Sequence, residues 1–149
     1  MKQCLAFFLL MMFCSSCFLF SDLKKKQFSF SEDGTKHSVN TVVPKKYSKT
    51  QTSIDSSGNQ VQYFFYPGGA QLYFALLKDT TTQLQTILYN DNLPKALYHT
   101  IYYKGLDSSD HYWRETRFGS YRAGYRKVNK EDEGKFDSSI NYFSLHLEP

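Results

Sequence analysis

From Tyr47 onward, short runs rich in β-branched and aromatic residues alternate with turn signals, and this pattern restricts the possible folds most strongly. Such runs favour strands, and the Gly, Pro, Asn and Asp residues between them favour chain reversals. The first candidate strands are Lys49–Ile54, Val61–Tyr66, Gln71–Leu77 and, with a weaker pattern, Leu84–Tyr89. Pro67-Gly68-Gly69 is the sharpest break, because proline presets φ and glycine permits a positive φ. The pattern predicts antiparallel strands that run back and forth.

A second group of strands contains a hairpin whose register follows from its turn. These strands are predicted over Leu97–Lys104, His111–Phe118 and Tyr121–Val128. Gly119-Ser120 is a two-residue reversal, so Phe118 faces Tyr121 and every pair further out is specified. One face of this hairpin is mostly apolar, with Arg114 and Thr116 as exceptions, and is the expected core side. Its members are Tyr112, Phe118, Tyr121, Ala123 and Tyr125.

The last twenty residues change to a helical period. Asn129 is the predicted N-cap, and acidic residues at 131–133 place negative charge where the helix dipole favours it. Phe136, Ile140 and Phe143 recur at i, i+4 and i+7 and form one apolar stripe. We therefore predict an α+β fold, an antiparallel β-meander of about six strands with one C-terminal helix packed on the sheet. A lipocalin-like barrel needs about eight strands to close, so an open sheet is favoured.

Residues 17–46 differ from this pattern, because they are polar and rich in lysine. Phe28 and Phe30 are isolated apolar positions within them. This composition predicts a flexible tether over 17–46 and a single β-rich domain over 47–149. The alternative is a first edge strand through Val39, Val42 and Val43.

The N-terminus has the organisation of a targeting segment. Lys2 and the amino terminus supply positive charge, and Leu5–Phe13 is an uninterrupted apolar run. Two small residues, Ser15 and Ser16, then lead to Cys17. A charged start, an apolar stretch and a small-residue cleavage region predict a secretory signal peptide over residues 1–16.

Ser15-Ser16-Cys17 also resembles the lipobox of bacterial lipoproteins, with Cys14 where that family usually has Leu. The resemblance covers only about the first 17 residues. It implies that Cys17 becomes the new N-terminus and is diacylated on sulfur, and that the protein is attached by lipid to a membrane of the bacterial cell envelope. The domain would then be periplasmic or extracellular. Acyl chains stay in a bilayer because each buried methylene contributes about 0.8 kcal/mol.

Two other interpretations of the N-terminus remain open. Ordinary signal peptidase cleavage near the same serines would give a plainly secreted protein. Alternatively, Cys4–Phe20 holds 17 consecutive uncharged residues, close to the minimum for a membrane-spanning helix. The lysines at 24–26 outweigh Lys2, so an uncleaved anchor would leave the domain in the cytoplasm.

Cysteine positions and net charge exclude several classes of protein. Cys4, Cys14 and Cys17 are the three cysteines, so the folded part has no disulfide scaffold, zinc–thiolate site or cysteine nucleophile. The formal net charge is +4, well short of the concentrated charge of most nucleic-acid binders. We expect neither a nucleic-acid partner nor a cofactor.

Catalytic and metal-binding motifs are not recognisable. The sequence lacks a G-x-S-x-G elbow, a P-loop, a G-x-G-x-x-G loop and an H-E-x-x-H pair. The Asp107–His111 stretch is better explained as a turn than as a metal site, because Asp and Ser side chains bond the local backbone. Glu115 and His111 share a strand face but would lie roughly 13 Å apart, too far for an acid–base dyad. We predict no catalytic residue and no metal ligand.

The polar face of the last hairpin is the candidate binding surface. Its members are Trp113, Glu115, Arg117, Arg122 and Arg126. In the predicted register Trp113 lies opposite Arg126 and could stack on it, and Glu115 lies diagonal to Arg122. An exposed Trp beside guanidinium groups suits a sugar, a carboxylate or an acidic lipid headgroup. The alternative is an ordinary solvated face with a weak Glu–Arg pair.

Taken together, these features favour a lipid-anchored envelope protein with a non-enzymatic binding or structural role. Its partners would be the membrane, through the anchor, and an envelope protein or glycan. One alternative is a small envelope hydrolase acting on glycans, with Glu115, Asp107 or Asp110 as candidate carboxylates. Another is a lipocalin-like carrier, which requires a closed sheet around an apolar cavity.

Overall fold

A computed structural model describes residues 22–32, 34–78 and 100–147 of the chain. These ranges contain eight strands and one α-helix. The strands are β1 Leu23–Glu32, β2 Thr35–Pro44, β3 Lys49–Ile54, β4 Gln60–Phe65, β5 Gln71–Leu76, β6 Thr100–Leu106, β7 Tyr112–Phe118 and β8 Tyr121–Val128. Helix α1 covers Glu133–Leu145, and Pro67–Gly69 forms one 3₁₀ turn.

Six of the strands form one antiparallel sheet in the order β3-β4-β5-β8-β7-β6, and β1 and β2 form a separate hairpin. The sheet consists of two three-stranded meanders that join where β5 pairs with β8. Among the described strands, β3 and β6 are the edges, so the sheet is open. The predicted α+β class, with about six antiparallel strands and a C-terminal helix on the sheet, is confirmed.

The β1–β2 hairpin and α1 cover the same face of the sheet, and the main core lies between these layers. The predicted helical stripe of Phe136, Ile140 and Phe143 is buried there. The sheet contributes mainly β4, β5 and β8 side chains. The members of this core from the sheet are Phe64, Leu72, Phe74, Leu76, Ala123, Tyr125 and Val128. The apolar side predicted for the last hairpin is therefore the core side.

The tether predicted over 17–46 is wrong for Leu23–Pro44, which forms the β1–β2 hairpin. Phe28, which is 1% exposed, and Phe30 belong to the main core. The Phe28 ring centroid lies 6.1 Å from that of Phe143 on α1. The alternative prediction of an edge strand agrees better with the structure, because Val39 and Val43 lie on β2 and are buried. The folded unit therefore begins before residue 47.

Polar contacts also fasten this hairpin to the sheet. The Gln60 side-chain amide donates to the backbone carbonyl of Ser31 at 2.7 Å. Its carbonyl oxygen accepts the Ser31 backbone N–H at 3.0 Å. At the other end of the hairpin, the Tyr66 hydroxyl donates to the Pro44 carbonyl at 3.1 Å. The Gln60 bonds satisfy backbone groups of Ser31 and join β1 to β4. The Tyr66 bond joins the end of β2 to the residue that follows β4.

Most predicted strands in the described ranges agree with the structure. Lys49–Ile54 and Tyr121–Val128 have the predicted bounds, and Gly119-Ser120 reverses the chain so that Phe118 pairs with Tyr121. Arg117 lies opposite Arg122 as expected. The candidate strand Leu84–Tyr89 lies outside the described residues.

The predicted register holds only up to Arg114. Arg114 pairs with Tyr125, whereas Tyr112 pairs with Val128, so β8 has one extra residue in a β-bulge. Arg126 and Lys127 both lie opposite Trp113 as a result. A simple two-strand register does not foresee a bulge, because one strand gains an unpaired residue there.

The helix starts later than predicted. Asp132, not Asn129, is the N-cap residue, and its side chain makes no capping hydrogen bond. The Asn129 carbonyl instead accepts the backbone N–H groups of Asp132 and Glu133, both at 3.1 Å, within the turn before the helix. Glu133 in the first turn forms ion pairs with Lys104 and Lys130. These contacts, that of Lys104 most strongly, lower the pKa of Glu133.

Arg114 departs from the apolar pattern of the core side because it connects the sheet to the helix. Its Nη1 donates to Asp137 Oδ1 on α1 at 2.8 Å, and its Nη2 donates to Asn141 Oδ1 at 2.9 Å. The Tyr125 hydroxyl donates to the same Asp137 oxygen at 3.0 Å. Lys104 on β6 reaches the other oxygen of Asp137 at 3.2 Å. Strands β6, β7 and β8 are thus bonded to one helical carboxylate.

We expect Asp137 to make the free energy of unfolding depend on pH. Burial alone would raise its pKa, but the bonds from Arg114, Tyr125 and Lys104 outweigh burial and hold the pKa below the ordinary value. The unfolded carboxyl titrates near pH 3.9. The stabilisation is therefore fully present above about pH 4 and is lost as the pH falls through the lower folded pKa. Urea unfolding between pH 7 and pH 2 measures this effect. The difference between the native protein and Asp137→Asn should shrink below about pH 4, and a constant difference would contradict the assignment.

Candidate functional site

The predicted binding surface lies on the face of the sheet opposite the hairpin and helix. The structure places its five members together there: Trp113, Glu115 and Arg117 on β7, and Arg122 and Arg126 on β8. The expectation of an exposed, solvated face is wrong for three of them. Trp113, Glu115 and Arg122 are only 7%, 1% and 5% exposed. Arg117 and Arg126 are half-buried.

Glu115 is the centre of a hydrogen-bonded network on this face. Its Oε2 accepts the Tyr73 hydroxyl of β5 at 2.9 Å, and its Oε1 accepts Arg117 Nε at 2.6 Å. The Arg117 guanidinium carbon lies 4.9 Å from the ring centroid of Tyr103 on β6, a cation–π contact. Three strands are therefore connected through one buried carboxylate. Satisfying a buried charge with an ion pair and a hydrogen bond is what makes its burial tolerable.

Arg122 donates side-chain hydrogen bonds to the backbone of the adjacent turn. Its Nη1 donates to the backbone carbonyls of Gly119 and Tyr121 at 2.5 and 2.8 Å. Burial first, and the positive charge of the facing Arg117 second, lower the pKa of Arg122. Glu115 counteracts this repulsion because it is ion-paired with Arg117. The Trp113–Arg126 stacking that the sequence suggested is not among the contacts of the described residues.

Two glycines make room for the aromatic side chains of this face. Gly124 lies between Tyr73 and Glu115 in the sheet register, and the Tyr73 ring passes directly over it. Gly105 lies opposite Trp113, whose Nε1 would be 2.9 Å from a Cβ placed there. The Tyr73–Glu115 bond therefore requires the absence of a side chain at 124. Burial, together with the nearby charge of Glu115, raises the pKa of Tyr73 and keeps its hydroxyl a donor.

Two donors on this face are not satisfied. Trp113 Nε1 and Arg126 Nε are buried and have no hydrogen-bond partner in the described part of the chain. Unsatisfied buried donors are uncommon, because each forfeits the hydrogen bond that it would make to water. An oxygen acceptor that reached these nitrogens would remove that cost.

The Asp107–His111 segment forms the loop between β6 and β7. Asp107 Oδ1 accepts the backbone N–H groups of Ser109 and His111 at 2.8 and 3.0 Å, as in an Asx turn. Asp110 has a φ of 58° in the same loop. Within residues 22–32, 34–78 and 100–147, no three His, Cys, Asp or Glu side chains are grouped so as to hold a metal ion.

The structure also contains a cleft that the sequence did not predict. It has a volume of about 290 Å³ and opens where the end of β2, the 3₁₀ turn, the end of β8 and the start of α1 meet. Its charged lining residues are Lys45, Lys46, Lys127, Lys135, Asp22 and Asp132. Tyr66 and Phe136 contribute aromatic walls. Only the adjacent pair Lys45-Lys46 was visible as a cluster in sequence, since the other lysines come from β8 and α1.

The positive charge of this cleft exceeds the negative charge. Lys135 lies 3.0 Å from Asp132 and 3.4 Å from Asp22, so one lysine pairs with both acids. Lys45, Lys46 and Lys127 have no ion-pair partner among the residues that the structure describes. Four lysines against two aspartates leave a net charge of +2 around the cleft.

Two of the cleft lysines have an unfavourable backbone conformation. Three non-glycine residues of the described chain have a positive φ, and two of them are Lys46 at 67° and Lys127 at 55°. This conformation costs roughly 1 kcal/mol or more for a residue with a long side chain, whereas Gly and Asn adopt it readily. Residues in strained conformations cluster at functional sites. Two of the three residues with this conformation therefore line the same cleft that carries the excess positive charge.

The predicted lipidation residue, Cys17, lies outside the described residues. Within the described ranges, the structure contains no helix with the length and apolar character needed to cross a membrane. No protein-family model, curated protein or solved structure matches the chain. The candidate sites therefore stand on their own geometry and on the N-terminal sequence.

Proposed function

We propose that this protein is a lipid-anchored, non-enzymatic module of a bacterial cell envelope. The anchor is acylated Cys17, which follows the apolar run Leu5–Phe13 and the small residues Ser15 and Ser16. The folded part then lies on the periplasmic or extracellular side of the membrane, where it binds an envelope protein or glycan.

The observation that carries this proposal is the apolar run Leu5–Phe13 followed by Ser15, Ser16 and Cys17, and Cys17 lies close to the fold along the chain. The described structure begins at Asp22, five residues after Cys17, and Asp22 lines the lysine-rich cleft. Five residues span at most about 18 Å even when fully extended. An acyl group on Cys17 therefore holds the cleft end of the domain close to the bilayer surface.

The partner-binding part of the proposal is supported by the sheet face that carries Trp113 and Arg126. Their unsatisfied donors suit oxygen acceptors, which glycans and acidic protein segments provide. Arg117 and Arg126 are half-buried and add cationic character at the same face. Aromatic and arginine side chains are the types that contribute most to binding energy at interfaces.

We expect Cys17→Ala to abolish fatty-acid labelling and membrane association. The thiol of Cys17 is the acyl acceptor in this proposal, and the variant has nothing to acylate at that position. Labelling of bacterial cultures with a fatty-acid analogue, followed by membrane fractionation and intact-mass analysis of the native protein, measures both effects. Cys14→Ala is the matched control, because it removes a neighbouring thiol and should remain labelled.

The intact mass separates the three forms of the N-terminus. Acylation at Cys17 gives a chain that lacks residues 1–16 and carries the mass of the acyl groups. Labelling that persists in Cys17→Ala, or native material that retains residues 1–16, would contradict the anchor.

A further inference from the structure

We propose that the lysine-lined cleft binds a phosphate group, carried by an anionic phospholipid headgroup or by a soluble phosphate ester. The lipid source rests on the proposed membrane anchor, whereas the phosphate site itself does not. The ligand class follows from four features of the cleft: its charge, its size, its backbone and its position.

The charge of the cleft calls for an anion. Lys45, Lys46 and Lys127 have no ion-pair partner within the described ranges, and Lys135 pairs with both Asp22 and Asp132, so the cleft keeps a net charge of +2. Like charges that converge on one cleft repel one another, and a bound anion removes that repulsion. Lysine is a compact, flexible point charge that suits phosphate, whereas planar carboxylates are matched best by arginine.

The size of the cleft limits what can enter. Its volume of about 290 Å³ is at the lower end of small-molecule sites. A phosphate with an attached glycerol is of this size, but the acyl chains of a lipid are not. A lipid would therefore insert only its headgroup.

Two of the cleft lysines have a backbone conformation that is unfavourable for lysine. Lys46 and Lys127 adopt a positive φ, which an asparagine would tolerate better. The Lys127 side chain also passes over the 3₁₀ turn, so that a Cβ at Gly69 would contact its Cδ at 3.8 Å. A role in ligand binding explains why lysine occupies these two positions.

The cleft lies near the proposed anchor at Cys17 and therefore near the phosphates of the membrane lipids. Asp22 lines the cleft and is five residues from the proposed acylated Cys17. Its backbone carbonyl accepts the Lys45 N–H at 2.8 Å, which ties the chain that arrives from the anchor to the cleft wall. Basic side chains held near an anionic bilayer are attracted to its headgroups.

The test is a calorimetric titration of the full native protein in neutral detergent micelles. The three probes are glycerol 3-phosphate, short-chain phosphatidylglycerol and short-chain phosphatidylcholine. The double variant Lys46→Asn/Lys127→Asn removes two positive charges from the cleft. Asparagine also adopts a positive φ more readily than lysine. Lys36→Asn/Lys78→Asn removes the same charge from exposed positions outside the cleft. Thermal unfolding of both variants reports whether they remain folded.

We expect phosphatidylglycerol to bind at least tenfold more tightly than phosphatidylcholine, and the cleft variant to weaken that binding about tenfold or more. The control variant should change the affinity less than about twofold, because it keeps every cleft lysine. The midpoint of thermal unfolding should be unchanged or higher in the cleft variant, so that lost binding is not lost folding.

The probes also separate the two sources of phosphate. Tighter binding of phosphatidylglycerol than of glycerol 3-phosphate assigns the site to lipid headgroups, and equal binding assigns it to soluble esters. Equal weakening by both double variants, or no saturable binding of any probe, would overturn the proposal. The titration in detergent does not require acylation of Cys17. Absence of phosphate binding and absence of acylation at Cys17 are therefore separate results.

Discussion

Gly124→Ala is expected to lower the free energy of unfolding by about 3 kcal/mol, because the sheet has no space for a side chain there. A Cβ at this position would overlap the Tyr73 hydroxyl and lie 2.6 Å from the backbone carbonyl oxygen of Arg114. The Tyr73 ring could move only by giving up its bond to Glu115. The Arg114 carbonyl could move only with β7. Urea unfolding followed by circular dichroism measures the change.

Gly134→Ala is the matched control for this substitution. Apart from its chain neighbours and the backbone of its own helix, no atom of the described chain lies within 4 Å of a Cβ built at Gly134, which is in the first turns of α1. Alanine favours the helix over glycine by up to about 1 kcal/mol, so the control should be slightly more stable than the native protein. Similar unfolding midpoints for the two variants would show that Gly124 is not held by close packing.

Glu115→Ala should destabilise the protein by about 3–5 kcal/mol, the usual cost of removing one partner from a buried ion pair. The substitution removes the acceptor of the Tyr73 hydroxyl and the counter-charge of Arg117. The buried Tyr73 hydroxyl would be left without an acceptor, and the half-buried Arg117 would lose its counter-charge. Glu131→Ala is the control, since Glu131 is exposed in the turn before α1 and should change stability by less than about 0.5 kcal/mol.

A double-mutant cycle isolates the bond between Tyr73 and Glu115. Tyr73→Phe and Glu115→Gln each remove or weaken it, and the double variant should be less destabilised than the sum of the two by about 0.5–3 kcal/mol. Unfolding in urea supplies all four free energies. An additive cycle, or a Glu115→Ala variant as stable as Glu131→Ala, would contradict the role of Glu115 as the centre of the network.

Partner capture by the candidate binding surface is best tested at a residue that does not belong to its hydrogen-bonded network. Trp113, Glu115 and Arg122 are buried, so their truncation alters folding as well as any partner contact. Arg117 also belongs to the network, through Glu115. Arg126 is half-buried and its Nε is unsatisfied, which makes it the most informative position for a partner-capture experiment. Loss of capture there without a change in the unfolding midpoint separates recognition from stability.

Local signals were sufficient for much of the sheet and for the helix. The pairing of Phe118 with Tyr121 follows from the two-residue turn Gly119-Ser120, which dictates the register next to it. The buried stripe of α1 follows from the spacing of Phe136, Ile140 and Phe143. Turn geometry and periodicity act over a few residues, so they can be read without knowing what lies beside them.

The β1–β2 hairpin illustrates a signal that was too weak to interpret alone. Phe28 and Phe30 alternate with polar residues, but the lysines at 24–26 gave the segment the composition of a tether. The tertiary structure shows why the two rings are buried: Phe28 packs against Phe143 on α1 and Phe74 on β5, and Phe30 packs against Tyr121 on β8. A two-stranded hairpin is marginal by itself, and its stability here comes from the layers on which it packs.

The amino-acid sequence by itself determined the antiparallel strands, the hairpin register up to Arg114 and the helical stripe. The tertiary structure decided which polar residues are buried and which lysines meet. Glu115 is buried because Tyr73 crosses Gly124 to reach it, and the cleft exists because the ends of β2 and β8 lie beside the start of α1. Both results depend on contacts between residues far apart in the chain, and nearest-neighbour patterns carry no information about such contacts.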